Sequence, residues 1–228
     1  GAGPGLGLAL VERFAAEGMT VLAASRTATG REHLRGAVER FGEDAVIPVD
    51  CDVTRSEEVD GLFVRAAALG RTRLVVHNAG SMIRGGADAA PEDVEAAWRV
   101  SAYGGFLVGH GATLCMRSHG HGGTVIFTGA TASLRGGAGF LPFASAKAAL
   151  RTTAQSFARE LQPEGIHVAH VIIDGMIHGP GRDDLATEKG PDGLLAPDAI
   201  ADAYWQLHRQ PRSAWTHEMD LRPWSERF

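Results

Sequence analysis

The chain opens on Gly-Ala-Gly-Pro-Gly-Leu-Gly, with glycines at positions 1, 3, 5 and 7. A GxGxxG spacing fails because position 6 is Leu6, whereas GxxxGxG fits Gly1, Gly5 and Gly7. Glycines in a strand-to-helix turn permit a tight bend and a close backbone approach to a pyrophosphate, which the helix N-terminus attracts. Further on, Ser25-Arg26-Thr27 ends a run of small and apolar residues. An acidic residue at that place would bind a ribose 2′-hydroxyl. Arg26 instead can pair with a 2′-phosphate and stack on adenine, while Ser25 and Thr27 can donate hydrogen bonds to it. Together with the loop, this favours NADP(H) over NAD(H); alone, Arg26 reads more readily as a solvated surface arginine. Asp52-Val53 offers a carboxylate that could accept from an adenine amino group, and Asn78-Ala79-Gly80 offers small residues against which a ribose could lie. Each of these is also ordinary turn chemistry when taken singly.

Such residues need elements to carry them. Segments 19–25, 45–51, 73–77, 123–128 and 166–173 are short, rich in Val and Ile and continuously apolar in parts, as strands covered on both faces are. Helical patterns fill 6–17, 31–41, 56–69, 91–118 and 141–161, with Pro91, Glu92 and Asp93 suited to a helix start. Segment 214–221 reads as a last strand. This alternation implies an α/β fold, one doubly wound parallel sheet flanked by helices. About seven strands are expected, the first lying ahead of Gly1, and a single domain over residues 1–228. Residues 178–197, rich in Gly, Pro and charge, read as a substrate-side loop or lid, or as a solvated connector.

The 228 residues are 44% hydrophobic and 21% charged, with a formal net charge of −5, which gives no reason to expect nucleic acid or an anionic membrane as partner. Cys51 and Cys115 form no CxxC pattern, and a reducing, cytoplasmic setting without structural zinc is expected. No run of the sequence is apolar enough to read as a membrane span.

The glycine loop, Asp52-Val53, Asn78-Ala79-Gly80 and a lysine-bearing helix, in this order, resemble the classical short-chain dehydrogenase/reductase family over essentially the whole chain. That resemblance implies a Rossmann fold, a nicotinamide cofactor, a small carbonyl or alcohol substrate and a homodimer or homotetramer. It also implies an Asn–Ser–Tyr–Lys tetrad. Lys147 keeps the lysine position, but the tyrosine position four residues earlier is Phe143, the serine position is Ala130 and the asparagine position is Ser101. Gly175 stands in the turn after the sixth family strand. Phenylalanine has no proton to exchange, and loss of a positioned general acid costs roughly 10²- to 10⁴-fold. Thr131 and Ser133 could present substitute hydroxyls, and His178 a substitute imidazole with a suitable ordinary pKa. Tyr103 and His77 read as packing residues. The joint divergence reads as a natural, atypical branch. Three functions fit it: an NADP(H)-dependent oxidoreductase with a non-standard proton relay, a silent NADP(H)-binding sensor or assembly subunit, or a non-redox dehydratase or isomerase.

Overall fold

In the computed structural model, residues 1–226 are described; residues 227 and 228, the end of the expected domain, lie outside them. The elements run α1 (Leu6–Ala16), β1 (Val21–Ser25), α2 (Glu32–Phe41), β2 (Val46–Asp50), α3 (Ser56–Leu69), β3 (Leu74–His77), α4 (Pro91–Trp98), α5 (Gly104–His119), β4 (Gly123–Thr128), α6 (Leu141–Leu161), β5 (Ile166–Ile173), α7 (Asp183–Lys189), α8 (Pro197–Arg209) and β6 (Glu218–Leu221). The architecture is α/β, with parallel strands alternating with helices. Strands β1 and β2 pair in parallel, and a second sheet has the order β3-β4-β5-β6. The β3–β4 and β4–β5 pairings are parallel too. Six strands occur among the described residues, against about seven expected.

The described chain forms two compact units. One comprises Gly1–Cys51, Ile173–Arg209 and the described residues from Asp220 onward; the other comprises Asp52–Ile172 and Gln210–Met219. In the first, Ala2, Val11, Ala15, Ala23, Leu34, Ala37 and Val46 make the core, with α8 laid along α1 and Trp205 tilted against Phe14. In the second, Met116, Val125, Phe127, Leu150, Leu161, Ile166 and Val168 make it. Every residue of β5 is buried, which accounts for its unbroken apolar run: a parallel strand covered on both faces shows no alternation.

The structure departs from expectation in three places. The stretch expected as one helix over 91–118 contains a π turn, Arg99–Tyr103, between α4 and α5. The residues on both sides are helix-compatible and no proline or cap marks the insertion, so the sequence reads as one helix through it. Residues 178–197 carry the short helix α7 and the first residue of α8, where an irregular segment was expected. The last strand is shorter than expected and starts at Glu218, after a 3-10 turn over Arg212–Ala214. No helix of the described residues is long and apolar enough to cross a membrane.

Phe127 is fully buried and stacks on Phe157 with ring centroids 6.0 Å apart. Phe127→Ala should lower unfolding free energy by about 3–5 kcal/mol, the usual cost of deleting a core aromatic. Urea denaturation checks this; a loss below about 1 kcal/mol would mean the core collapses around the gap.

Candidate functional site

In the first unit, the opening loop turns into α1 at Gly5, which caps the helix without any side-chain hydrogen bond, and no acid stands in the helix's first turn. Both features leave the N-terminal end open to an anion. A Cβ on Gly7 would lie 2.4 Å from the Gly1 carbonyl oxygen and 2.8 Å from Ala2 Cα, so only glycine permits this turn. Around Gly3 and Gly5 the opposite holds: a Cβ at Gly3 meets nothing within 4 Å, and one at Gly5 meets only the His178 carbonyl, 4.0 Å away. Open space beside bare backbone at a helix end is the room a pyrophosphate requires, and these residues fit it.

Ser25 ends β1, with Arg26 and Thr27 exposed just beyond it. Arg31 Nε donates to Thr27 Oγ1 at 3.0 Å, which adds a second guanidinium to this corner. The strand register also aligns Asp50 with Ser25, a carboxylate that sequence inspection around position 26 missed. Its oxygens accept from the Thr29 amide at 2.9 Å and the Thr29 hydroxyl at 2.8 Å. Those bonds, the amide first, hold the carboxyl below its ordinary pKa.

Residues 178–197 belong to the same unit. The His178 amide donates to Leu195 O at 2.8 Å and the Leu195 amide to Met176 O at 2.9 Å, so the segment is pinned at both ends. With Pro4, Gly5, Leu8, Glu12 and Asp183, His178 lines a cleft of about 370 Å³. Its Nε2 lies 3.7 Å from Asp183 Oδ1. Gly175 has a φ of 151° and backs onto Pro223. Trp224 is exposed and donates from Nε1 to Pro191 O at 3.3 Å.

In the second unit, Asp52 is drawn into local structure: Oδ1 accepts from the Thr54 amide and hydroxyl at 2.9 and 2.8 Å. Val53 packs against Gly104 at the start of α5. Asn78, Ala79 and Gly80 follow β3 directly. Lys147, one of the few buried cations, donates from Nζ to Thr128 O at 2.8 Å. Burial lowers its pKa to about 8. A Cβ on Gly80 would lie 3.3 Å from that Nζ, so the retained lysine and the Asn-Ala-Gly turn face the same space. The Phe143 ring is centred 6.0 Å from Nζ.

Ser101 occupies the π turn; it is fully buried and its hydroxyl has no partner. Its carbonyl accepts from His77 Nε2 at 3.2 Å. Burial, and then the Lys147 charge, pull His77 down to about 3, so the ring is neutral and serves as a donor. Tyr103 stacks on Trp98 at 5.8 Å. Ala130 precedes the 3-10 turn Thr131–Ser133, and its amide donates to Ser133 Oγ at 3.1 Å.

Sequence inspection missed three residues beside this turn. His170 is fully buried in β5, with Nδ1 3.0 Å from Glu218 Oε2. Arg151 donates to both oxygens of Glu218, each at 2.7 Å. Burial lowers His170 to about 4 against the opposing pull of Glu218. The Arg151 guanidinium, and after it His170, hold Glu218 below the usual carboxylate range. A histidine inside an otherwise apolar strand was the available signal, since a buried imidazole needs a partner.

Comparisons with known proteins bear on the family and the fold. Residues 1–192 match the family model described as Enoyl-(Acyl carrier protein) reductase. The chain is 31% identical to the uncharacterized oxidoreductase YuxG of Bacillus subtilis over 90% of its own length, but spans only 30% of that protein. It is 31% identical to the short-chain reductase protein NovJ of Streptomyces niveus, covering 98% of this chain and 85% of that one. A crystal structure of a short-chain dehydrogenase from Rhodopseudomonas palustris matches with a TM-score of 0.84 and 37% identity, covering 98% of this chain and 96% of that chain.

His77 and His170 both titrate below their ordinary value of 6.5. The unfolded chain therefore takes up protons first, and folding stability should fall as pH drops from about 6.5 toward 4. Each unit of displacement is worth about 1.4 kcal/mol. Urea midpoints measured from pH 7 to 4.5 check this; a flat profile would contradict the neutral, buried rings.

Proposed function

The chain belongs to the short-chain dehydrogenase/reductase family of nicotinamide-dependent oxidoreductases, and on that footing we propose that it is an atypical, NADP(H)-preferring member acting on a small carbonyl or alcohol. The observation that carries the reading is the retained Lys147 facing Gly80. A lysine with nothing to bind would be an expensive group to bury, whereas here it borders the turn against which the family lays the nicotinamide ribose. Gly5, Leu6 and Gly7 would hold the pyrophosphate, Ser25, Arg26 and Thr27 the 2′-phosphate, and Asp52 and Val53 the adenine. Asn78, Ala79, Gly80, Lys147 and Gly175 would hold the remainder. When bound, the cofactor supplies or accepts a hydride.

The preference for a phosphorylated cofactor rests on Arg26 with Arg31 close by. Asp50, the one acid aligned with Ser25, is occupied by Thr29 and so is less available to a ribose hydroxyl. The proton cannot come from Phe143 or Ala130, nor from a tetrad asparagine at Ser101, so another hydroxyl or imidazole supplies it. Thr131, Ser133 and His178 are the side chains at hand. Two cysteines without a disulfide suit a reducing compartment such as the cytoplasm. Exposed Phe106 and Leu114 on α5 suit a homodimer or homotetramer.

Titration of the purified protein with NADPH, followed by nucleotide fluorescence, should show micromolar or tighter binding; its absence sinks the reading. Arg26→Ala should weaken NADPH by about 10- to 100-fold, the worth of a charge-assisted contact, and leave NADH nearly unchanged. Equal losses for both nucleotides would remove the argument for the 2′-phosphate. Restoring Phe143→Tyr with Ala130→Ser should raise carbonyl reduction by about 10²-fold or more, read as NADPH oxidation across an aldehyde and ketone panel. An unchanged rate would mean that more than the proton relay is altered.

A further inference from the structure

The peptide that joins Ala2 to Gly3 is held at both of its polar ends. Its N–H, carried by Gly3, donates to Gly1 O at 3.0 Å and closes a three-residue turn. Its oxygen, carried by Ala2, lies 3.0 Å from Nε2 of His33, a half-buried residue 31 positions away on α2. A carbonyl only accepts, so Nε2 carries a proton in this contact. The neighbouring groups are engaged as well: the Ala2 amide donates to Ala24 O on β1 at 3.0 Å, and the Leu8 amide to Gly3 O at 2.8 Å. The imidazole comes from a packed helix, since Leu34 and Ala37 of α2 are buried in the core that also takes Ala2. Two residues before His33, Arg31 reaches Thr27 Oγ1, so one helix start holds both the glycine loop and the corner after β1. Gly7 packs on the same residue of the loop: the Cβ it lacks would lie 2.8 Å from Ala2 Cα.

We propose that His33 is a positioning residue for dinucleotide binding, which fixes the Ala2–Gly3 peptide and occupies the Ala2 oxygen so that the loop meets a pyrophosphate without a bare carbonyl beside it. This rests on the reading of the loop as the cofactor's. The physical reason is one of sign. A helix N-terminus draws an anion through its exposed N–H groups. An unpaired C=O dipole next to the open backbone of Gly3 would oppose that attraction. The imidazole N–H supplies the carbonyl's partner from within the fold, so the loop is set before the nucleotide arrives and less is lost in ordering it. Pyrophosphate is common to both nicotinamide dinucleotides, so His33 acts on each alike, whereas Arg26 is assigned to the 2′-phosphate alone.

Two variants of the intact chain test this. His33→Ala should weaken NADPH and NADH by the same factor, about 3- to 10-fold, the worth of one hydrogen bond, read by nucleotide fluorescence. His33→Gln, whose side-chain amide can donate to the same oxygen, should recover most of that loss. Amide hydrogen exchange followed by NMR needs no nucleotide. In His33→Ala the Gly3 and Leu8 amides should exchange about threefold faster or more, while those of β2 stay within about twofold. Unmoved loop amides, undiminished affinity or a loss confined to NADPH overturns the proposal. So does faster exchange throughout the first unit, which a merely structural histidine would give. If the wild-type chain binds neither dinucleotide, the cofactor reading fails on its own, and the exchange measurement still decides whether His33 sets the loop.

Discussion

Strand β5 imposes the constraint from which much of the second unit follows: it is buried from end to end yet carries two imidazoles. No water can reach either ring, so each must find its partner in the chain. His167 and His170 are three residues apart and project from opposite faces of the strand. His167 bonds to Thr216 O at 2.8 Å and stacks on Trp215 at 4.8 Å. His170 takes Glu218, which in turn takes Arg151. The run from Trp215 to Glu218 is thus held beside β5 by side-chain polarity as well as by the backbone ladder, and α6 is tied in through its guanidinium.

Cofactor binding and proton transfer make different demands on a sequence. The features proposed for nucleotide binding are mostly backbone: a glycine turn, a helix end, a small-residue turn, and one lysine held by a carbonyl. Such features survive substitution of neighbouring side chains. Proton transfer depends on a single atom at a single place, and on the proposed reading Phe143, Ala130 and Ser101 each remove one. A chain can therefore keep the first function whole while rebuilding the second from other residues.

What could be read from sequence follows the same line. Helices 56–69 and 141–161 and strands 123–128 and 166–173 were legible to the residue, because local apolar pattern determines them. Helix α8 was not delimited, since its proline start follows a Gly- and Pro-rich stretch that masks the apolar stripe. Asp50 beside Ser25 required the strand register, which no local pattern encodes. The Glu218 pairings join residues 48 and 67 positions apart, a distance at which spacing carries no information. His170 itself was visible as a polar intruder in an apolar run, but its partner was not.

The wide turn at Arg99–Tyr103 acts as a phase shifter. A π turn is an α-helix with one residue too many, and each residue of a helix advances its surface by about 100°. The π turn therefore offsets the surface of α5 by about 100° from that of an uninterrupted α-helix. With the extra residue in place, α4 packs on α6, and α5 meets the same helix through Gly105 against Leu150 and Gly109 against Phe157, and meets α3 through Gly111 against Phe63. Ser101 lies within this turn, and its carbonyl accepts from His77. Chain length here is consequently as tightly determined as chemistry: one residue fewer would turn the face of α5 by about 100° away from its present neighbours on α6 and α3.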